Sequence, residues 1–348
     1  MIRIRQIKVN IENDNIDELK KQISKKIKVN INDIHDIKIE KKSIDARKKD
    51  NIYIVYEVDI KANNEDAILN NVKSNDVFIT PCEEYEFNIT GKNSMKYRPV
   101  VVGSGPAGLF CAYMLSMHGY KPLVIERGEA VEDRVKTVEK FWETGILNTE
   151  SNVQFGEGGA GTFSDGKLNT LVKDKDFRMK KVFEIFVEHG ANEDILYENK
   201  PHIGTDILRN VVASMRNKII EMGGEFKYNT CLTNINLNND QLESIEVNNK
   251  EIILCDNLIL AIGHSARDTF YMLNKNNIFM EAKPFAVGIR IEHPQDMINK
   301  SQYGKYASYL KPASYKLTYT TSKKRGVYSF CMCPGGYVVN ASSEEKSI

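Results

Sequence analysis

The chain has 348 residues, of which 41% are hydrophobic and 27% charged, a composition that excludes disordered and fibrous classes. The 48 basic residues are balanced by 47 acidic ones, which removes the electrostatic argument for a nucleic-acid or membrane-surface protein. Six cysteines are too few for a disulfide scaffold, and neither a signal peptide nor a spanning segment is visible, so we expect a cytoplasmic protein of two or three domains.

The first 80 residues carry the pattern of a small α/β domain. Asn15 is placed as an N-cap with Glu18 three residues later, which is the capping-box spacing. An apolar stripe at helical spacing follows: Ile16, Leu19, Ile23 and Ile27. Stretches of alternating apolar and polar residues predict the strands, and the resulting order βαββαβ predicts a ferredoxin-like plait over residues 1–80. The polar stretch that follows predicts a linker over 81–98. The basic loop Arg47–Lys49 either touches RNA or is a solvated turn, and we favour the turn because no aromatic platform lies beside it.

A glycine fingerprint follows the apolar run Val100–Val102, which suits a strand buried on both faces. Its glycines are Gly103, Gly105 and Gly108, the GxGxxG spacing that opens a helix beneath a pyrophosphate. Glu126 ends the next predicted strand 18 residues after the last glycine, where a carboxylate accepts hydrogen bonds from ribose hydroxyls. The pattern predicts a dinucleotide without a 2′-phosphate. Arg127 either neutralises phosphate charge or is solvated at the strand end.

A second glycine loop, residues 154–166, contains five glycines and is too flexible in composition for a helix or strand interior. Two interpretations remain open for it. Either its backbone approaches a phosphate or a flavin closely, with Thr162 and Ser164 as hydroxyl donors, or it is a mobile hinge.

These motifs resemble the glutathione-reductase-like flavoproteins in their single-Rossmann branch, and most closely a bacterial family of FAD-dependent dehydrogenases with an N-terminal plait domain. The resemblance rests on segments 101–108, 155–168, 201–206, 261–268 and 331–336. It implies FAD as cofactor. It also implies that Cys231 and Leu232 edge the adenine, and that the strand and turn ending at Gly263 return to the cofactor. The residues predicted to bind FAD are Gly103, Ser104, Gly105, Pro106, Ala107, Gly108, Glu126, Arg127, Gly158, Gly159, Ala160, Gly161, Thr162, Leu232, Ala261 and Gly263.

The resemblance also implies the fold class and the domain boundaries. We expect an α/β protein in which residues 99–283 form a Rossmann-like FAD-binding domain with part of a strand-rich substrate domain inserted. Residues 284–348 would continue that substrate domain. Such flavoproteins close the FAD site with a late Gly-Asp pair, which this sequence lacks, so we expect a chain shortened at its C-terminus.

Four residues are candidates for catalysis. His202 is either a proton donor near a helix start or a loop histidine bonded to backbone, and the second is favoured. His264 and Arg267 either lie at the flavin, where a cation stabilises the reduced ring, or cap the following helix. Arg290 lies in the alternating stretch Gly288–His293, a predicted strand, and is more readily a solvated side chain than a substrate anchor.

Cys331 and Cys333 form a lone Cys-x-Cys pair. A pair without a second Cys or His pair nearby is a poor zinc site, so we predict no metal and favour two small buried residues over a thiol at the flavin.

The sequence therefore predicts an FAD-dependent oxidoreductase in which the flavin carries hydride or electrons to or from a small-molecule substrate or electron donor that the sequence does not specify. The alternative is a non-catalytic dinucleotide-binding fragment with the plait as an interaction module. An RNA-acting flavoprotein docking through Arg47–Lys49 is disfavoured by the neutral charge, and we expect neither a membrane nor a nucleic-acid partner.

Overall fold

The structure is a computed structural model that describes residues 1–164, 166–168, 172–330 and 332–346. Its strands and α-helices, in chain order, are β1 (Ile2–Asn10), α1 (Ile16–Ile27), β2 (Ile34–Asp45), β3 (Tyr53–Ala62), α2 (Glu65–Asn71), β4 (Val77–Ile79), β5 (Val100–Val102), α3 (Pro106–Met117), β6 (Leu123–Ile125), α4 (Val131–Thr144), α5 (Arg178–Glu188), α6 (Thr205–Glu221), β7 (Glu225–Lys227), β8 (Leu232–Asn238), β9 (Gln241–Val247), β10 (Glu251–Leu254), β11 (Leu258–Leu260), α7 (Arg267–Lys275), α8 (Gln295–Tyr303), β12 (Thr318–Thr320) and β13 (Gly326–Tyr328). Among the helices so described, none is long and apolar enough to cross a bilayer.

The N-terminal sheet is antiparallel, with the strand order β2-β3-β1-β4. Helix α1 begins after Asn15, whose side chain accepts the Glu18 N–H at 2.9 Å. Leu19, Ile23 and Ile27 of its apolar stripe pack with residues of β1 and β3 in one core, and Ile68 of α2 joins them. Ile16, predicted in the same stripe, is 57% exposed. Residues 80–99 form neither helix nor strand.

A parallel sheet with the order β11-β5-β6-β7 stands at the centre of the chain. Alternate side chains of β5 enter different cores: Val101 packs with α3 and α6, while Val100 and Val102 face the antiparallel sheet β10-β9-β8 and Leu273 of α7. Burial on both faces explains the uninterrupted apolar runs in these strands. The chain passes from β5 through α3 to β6 on one side, and β11 lies on the other side of β5. That reversal of strand order creates a crevice beyond the carboxyl ends of β5 and β11.

The predicted strand Gly288–His293 is absent from the structure. Within the described residues, no neighbouring strand offers the ladder hydrogen bonds that a strand there requires. The apolar side chains of this stretch, Ile289 and Ile291, are accordingly exposed, as are Phe285 and Val287 just before it. Helix α8, a 3-10 helix over Gly304–Tyr309 and a short hairpin of β12 and β13 follow it.

Two late segments fold back onto earlier parts of the chain. Tyr306, in the 3-10 helix Gly304–Tyr309, is buried in the N-terminal core. Residues 340–344 lie against α4, the second glycine loop and α7. Their anchors are the Trp142 Nε1 donating to the Asn340 carbonyl at 2.9 Å, the Gln154 amide donating to the Ala341 carbonyl at 3.3 Å, and the Arg267–Glu344 ion pair at 2.6 Å.

Candidate functional site

A cavity of about 470 Å³ occupies the crevice at the carboxyl ends of β5 and β11. Most of the predicted cofactor residues form its wall: Gly103, Gly105, Pro106, Ala107, Glu126, Arg127, Gly159, Ala160, Leu232, Ala261 and Gly263. Residues that are distant in sequence are thus brought together by the parallel sheet and by the loops that leave its carboxyl edge.

The N-terminus of α3 opens at this cavity without a cap of its own. Gly105 is the N-cap residue and supplies no side-chain acceptor, Pro106 takes the first helical position, and the first turn contains no acidic residue. The Leu109 N–H is bonded to the Gly105 carbonyl at 2.9 Å. The N–H groups before Leu109 and the positive end of the helix dipole therefore remain available to an anion in the cavity.

The glycine fingerprint is explained by close approaches of the backbone. A Cβ on Gly108 would lie 1.9 Å from the carbonyl oxygen of Gly103, and one on Gly103 would lie 2.5 Å from that of Ala261. Gly103 also has a φ of +98°, a conformation that side chains disfavour. Ser104 and Gly108, both buried, support the turn and do not belong to the cavity wall.

The carboxylate of Glu126 is buried, and its oxygens are bonded within the chain. One oxygen accepts the Ser104 N–H at 2.7 Å and the Ser104 hydroxyl at 2.8 Å. The other accepts the N–H groups of Gly128 at 3.0 Å and Gly156 at 3.1 Å. A carboxylate has about four acceptor sites, so a ribose hydroxyl would have to replace one of these donors. Glu126 therefore ties both glycine loops together while it faces the cavity.

Arg127 is not solvated at the strand end, because its side chain is largely buried at the cavity wall and paired within the chain. Its guanidinium forms ion pairs at 2.9 Å with both Glu150 and Asp268, and it stacks over the Phe155 ring with 4.3 Å between the guanidinium carbon and the ring centroid. Burial lowers the pKa of Arg127, but the bonds to the two carboxylates outweigh burial and raise it. The bond from Arg127 likewise outweighs burial at Asp268 and lowers the pKa of that carboxyl. Arg127 thus holds the segment before the second glycine loop against α7.

The second glycine loop lies directly over the helix start. A Cβ on Gly159 would come within 3.2 Å of the Gly105 Cα, and the Gly158 N–H donates to the Ser104 carbonyl at 2.9 Å. Thr162 lies behind this surface, fully buried, and among the described residues its hydroxyl has no hydrogen-bond partner. Of the loop residues predicted to bind FAD, Gly158, Gly161 and Thr162 do not belong to the cavity wall.

Glu157 anchors the second glycine loop from within the protein. Its fully buried carboxylate accepts the Val131 N–H at 2.8 Å, an Arg216 N–H at 2.7 Å and the Tyr228 hydroxyl at 2.7 Å. It thereby caps α4 from outside the helix. Burial raises the pKa of Glu157, while its hydrogen bonds and the charge of Arg216 act in the opposite direction.

One end of the cavity is largely apolar. Leu232, Leu260, Phe270 and Leu273 line it, together with the half-buried Cys231. Burial raises the pKa of the Cys231 thiol to about 11, against the opposing effect of the nearby Arg127 charge. The Cys231 thiol is therefore protonated and neutral near physiological pH.

Of the four catalytic candidates, His264 belongs to the wall of this cavity. Its Nδ1 lies 3.0 Å from the Ser265 hydroxyl. Arg267 lines a smaller adjoining cavity and pairs with Glu344. His202 is exposed, with its backbone bridged to Lys167, and Arg290 is exposed and donates to the Val339 carbonyl at 3.2 Å.

One further sequence prediction concerns the pair Cys331 and Cys333. Cys333 is half-buried, whereas Cys331 lies outside the described residues.

Sequence reasoning overlooked several residues of the site. Phe155 and Phe270 belong to the cavity wall, and Arg134 is completely buried beneath the second glycine loop. A signal for Arg134 was present in the sequence, because it occupies an inward position of α4 beside Val131 and Val138, where an apolar residue is expected.

Three family models match parts of the chain. A model of the C-terminal domain of FAD-dependent proteins matches residues 284–348, an NAD(P)-binding Rossmann-like domain matches 101–143, and a domain of unknown function matches 1–61. An uncharacterized protein of Clostridium beijerinckii is 50% identical over 347 residues, which are 99% of this chain and 64% of that protein. The chain therefore spans somewhat less than two thirds of the length of this relative.

Solved structures resemble the chain over about half of its length. The THI4 protein of Thermovibrio ammonificans aligns at 17% identity with a TM-score of 0.35, over 53% of this chain and 63% of its own. Glycine oxidase from Bacillus cereus aligns at 14% identity with a TM-score of 0.33, over 53% of this chain and 60% of its own. Scores of this size carry no argument about function. The matched sequence segments relate the chain to FAD-dependent proteins with a Rossmann-like dinucleotide-binding domain, and they confirm the predicted cofactor, FAD.

Proposed function

We propose that the chain is part of an FAD-dependent oxidoreductase whose cofactor lies in the cavity between the two glycine loops. The observation that carries this proposal is the uncapped start of α3, which opens between Gly105 and Gly159 onto a cavity of about 470 Å³. An anionic pyrophosphate suits that position because the free N–H groups and the helix dipole both favour negative charge.

The remaining wall suits the other parts of FAD. Glu126 would accept a ribose hydroxyl in place of an internal donor, and the neutral, apolar end beside Cys231 and Leu232 would hold the adenine. Bound FAD would supply the electron or hydride transfer, and the chain would supply position and exclusion of water. The His264 imidazole on the cavity wall would face a small-molecule substrate or electron donor with its Nε2, since the Ser265 hydroxyl lies against its Nδ1.

We also propose the finer domain organisation, within the glutathione-reductase-like superfamily. The strand order β2-β3-β1-β4 supports a ferredoxin-like plait over residues 1–80, with 81–98 as the linker. The antiparallel sheet β8–β10, inserted between β7 and β11, supports an insertion in the Rossmann-like domain at 99–283. Residues 284–348 would belong to the substrate domain.

The test is to place a carboxylate at the start of α3. Ala107 is exposed in the first turn, so Ala107→Glu leaves packing intact and is expected to stabilise the helix by about 0.3–1 kcal/mol through the dipole. The same charge repels a pyrophosphate, and we expect FAD affinity to fall at least about tenfold, measured by flavin fluorescence titration.

Ala107→Gln is the matched control, because it has the same size without the charge. It is expected to retain FAD within about threefold of the unsubstituted chain. Equal affinity for FAD in the Glu and Gln variants, or an unsubstituted chain that retains no flavin through gel filtration, would contradict the proposal.

A further inference from the structure

Arg134 is a completely buried cation whose partners are backbone carbonyls. Its guanidinium donates to the carbonyl oxygens of Asn152 at 2.9 Å, Val153 at 3.0 Å, Glu157 at 2.6 Å and Gly159 at 2.9 Å. Burial lowers the pKa of Arg134 to about 10, so the side chain remains protonated near neutral pH. These bonds satisfy a buried charge that would otherwise be costly.

An apolar residue at position 134 would leave the carbonyls of Asn152, Val153 and Glu157 without a donor, which is unfavourable in the interior. The Gly159 carbonyl would keep only the longer bond of 3.3 Å from the Thr162 N–H. The guanidinium is also enclosed by neighbouring groups. It stacks over the Phe163 ring with 4.8 Å between the guanidinium carbon and the ring centroid, and a Cβ on Gly156 would lie 2.4 Å from the Arg134 Cδ. The close packing therefore restricts both the second glycine loop and the Arg134 side chain to a single conformation.

The bond from Arg134 to the Gly159 carbonyl also fixes the orientation of the peptide unit that joins Gly159 and Ala160. The carbonyl and the N–H of a trans peptide point in opposite directions. Because the Gly159 carbonyl points at Arg134, the N–H of Ala160 in the same peptide unit points away from it. Ala160 belongs to the cavity wall, and within the described chain its N–H has no acceptor.

We propose that Arg134 is a positioning residue for the cofactor: it holds the Gly159 carbonyl inward and so presents the Ala160 N–H to a phosphate of the bound dinucleotide. This inference rests on the proposed function, and it assigns the phosphate contact of the second glycine loop to one peptide unit. Arg134 itself touches neither the cavity nor its ligand.

The experiment compares ADP with adenosine, which differ by the diphosphate, in isothermal titrations of the full 348-residue chain. The ratio of the two dissociation constants measures the contribution of the diphosphate. Arg134→Lys keeps the charge but loses the fork that reaches several carbonyls. We expect this variant to bind adenosine as before and to lose about tenfold in ADP affinity, the size of one hydrogen bond to a charged group.

A second variant removes the N–H without touching Arg134. Ala160 is the first residue of the 3-10 helix Ala160–Phe163, a position that accepts proline, and Ala160→Pro lacks the proposed donor. We expect the same loss of about tenfold in ADP affinity, with Ala160→Ser as the control that keeps the N–H. If both changes act through one bond, the double variant loses no more than either single variant.

The outcomes separate the two proposals. An equal loss of ADP and adenosine in Arg134→Lys would assign Arg134 a purely structural role, and additive losses in the double variant would show that Arg134 does not act through Ala160. Either result overturns the inference while FAD binding stands. A chain that binds neither ADP nor FAD overturns the proposed function instead.

Discussion

The protonation state of the Cys231 thiol is set by its burial at the cavity wall. Cys231 lies on the cavity wall, half-buried, and burial raises the pKa of its thiol to about 11. The thiolate is the nucleophilic form, so the raised pKa makes this thiol unreactive near neutral pH. Cys82, by contrast, is exposed in the segment between the N-terminal sheet and β5.

We expect alkylation of Cys231 by iodoacetamide to be slow at about pH 8, where about one thiol in a thousand is ionised. Its rate should rise about tenfold for each pH unit up to about pH 11, because the thiolate fraction rises in that proportion. Peptide mass spectrometry after timed labelling measures it, with Cys231→Ser to assign the signal and Cys82 as the exposed reference. A rate that levels off below about pH 9 would be inconsistent with the raised pKa.

The sequence predicted which residues form the site better than it predicted the hydrogen bonds and ion pairs that they make. The spacing from Gly108 to Glu126 places the carboxylate at the cavity, and the structure has it there. The spacing says nothing of the four internal donors that Glu126 accepts, because those depend on how the second glycine loop folds over the first. The ion pairs of Arg127 were not predictable for a similar reason, since its partners Glu150 and Asp268 are remote in sequence.

Helix α3 meets β5 and β11 at a turn in which backbone touches backbone. The carbonyl of Gly103 lies where a side chain on Gly108 would start, and the carbonyl of Ala261 lies where one on Gly103 would start. Neither carbonyl is free to move, because Gly103 and Ala261 are bonded to the ends of β6 and β5 respectively. The junction of α3 with β5 and β11 therefore has no space for a methyl group on Gly103 or Gly108.

We expect Gly108→Ala to lower the free energy of unfolding by about 3 kcal/mol or more, because its Cβ would lie 1.9 Å from a backbone oxygen. Gly161→Ala is the matched control, since nothing lies within 4 Å of its Cβ and its φ is ordinary; it should change stability by less than about 0.5 kcal/mol. Urea denaturation followed by circular dichroism measures both. Similar stabilities for the two variants would argue against this packing.

Elements with local signals were predictable, and elements that depend on a distant partner were not. Helix α1 follows from the Asn15 cap and its apolar stripe, and it spans Ile16–Ile27. The segment Gly288–His293 alternates as a strand should, yet it is unpaired, because alternation does not supply a neighbouring strand. The role of Arg134 was equally hidden, since it arises from carbonyls of a loop that sequence alone does not shape.

At the scale of the molecule, the N-terminal sheet is joined to later parts of the chain by a few specific contacts. Tyr306 is buried in its core and its hydroxyl donates to the Asp50 carbonyl at 3.3 Å. The Lys42 backbone exchanges hydrogen bonds with residues 197 and 199, at 2.7 and 2.9 Å.

We expect Tyr306→Ala to destabilise the N-terminal sheet by about 3 kcal/mol or more, because it empties a filled aromatic position in a core. Hydrogen–deuterium exchange should quicken in β2 and β3 and remain unchanged in β5 and β6, which belong to other cores. Tyr309→Ala, at a ring that is 58% exposed, is the control and should leave exchange unaltered. Uniform protection in both variants would show that the 3-10 helix only rests on the sheet.

Trp142 is the single tryptophan of the sequence, and it stands between two parts of the site. Its ring meets Phe163 of the second glycine loop edge-on, with the centroids 6.0 Å apart, while its indole nitrogen holds the Asn340 carbonyl. Tryptophan fluorescence from this protein therefore comes from one place, the contact between Phe163 and the segment around Asn340. An unlabelled sample carries a built-in optical reporter of whether the segment around Asn340 is docked on the loop.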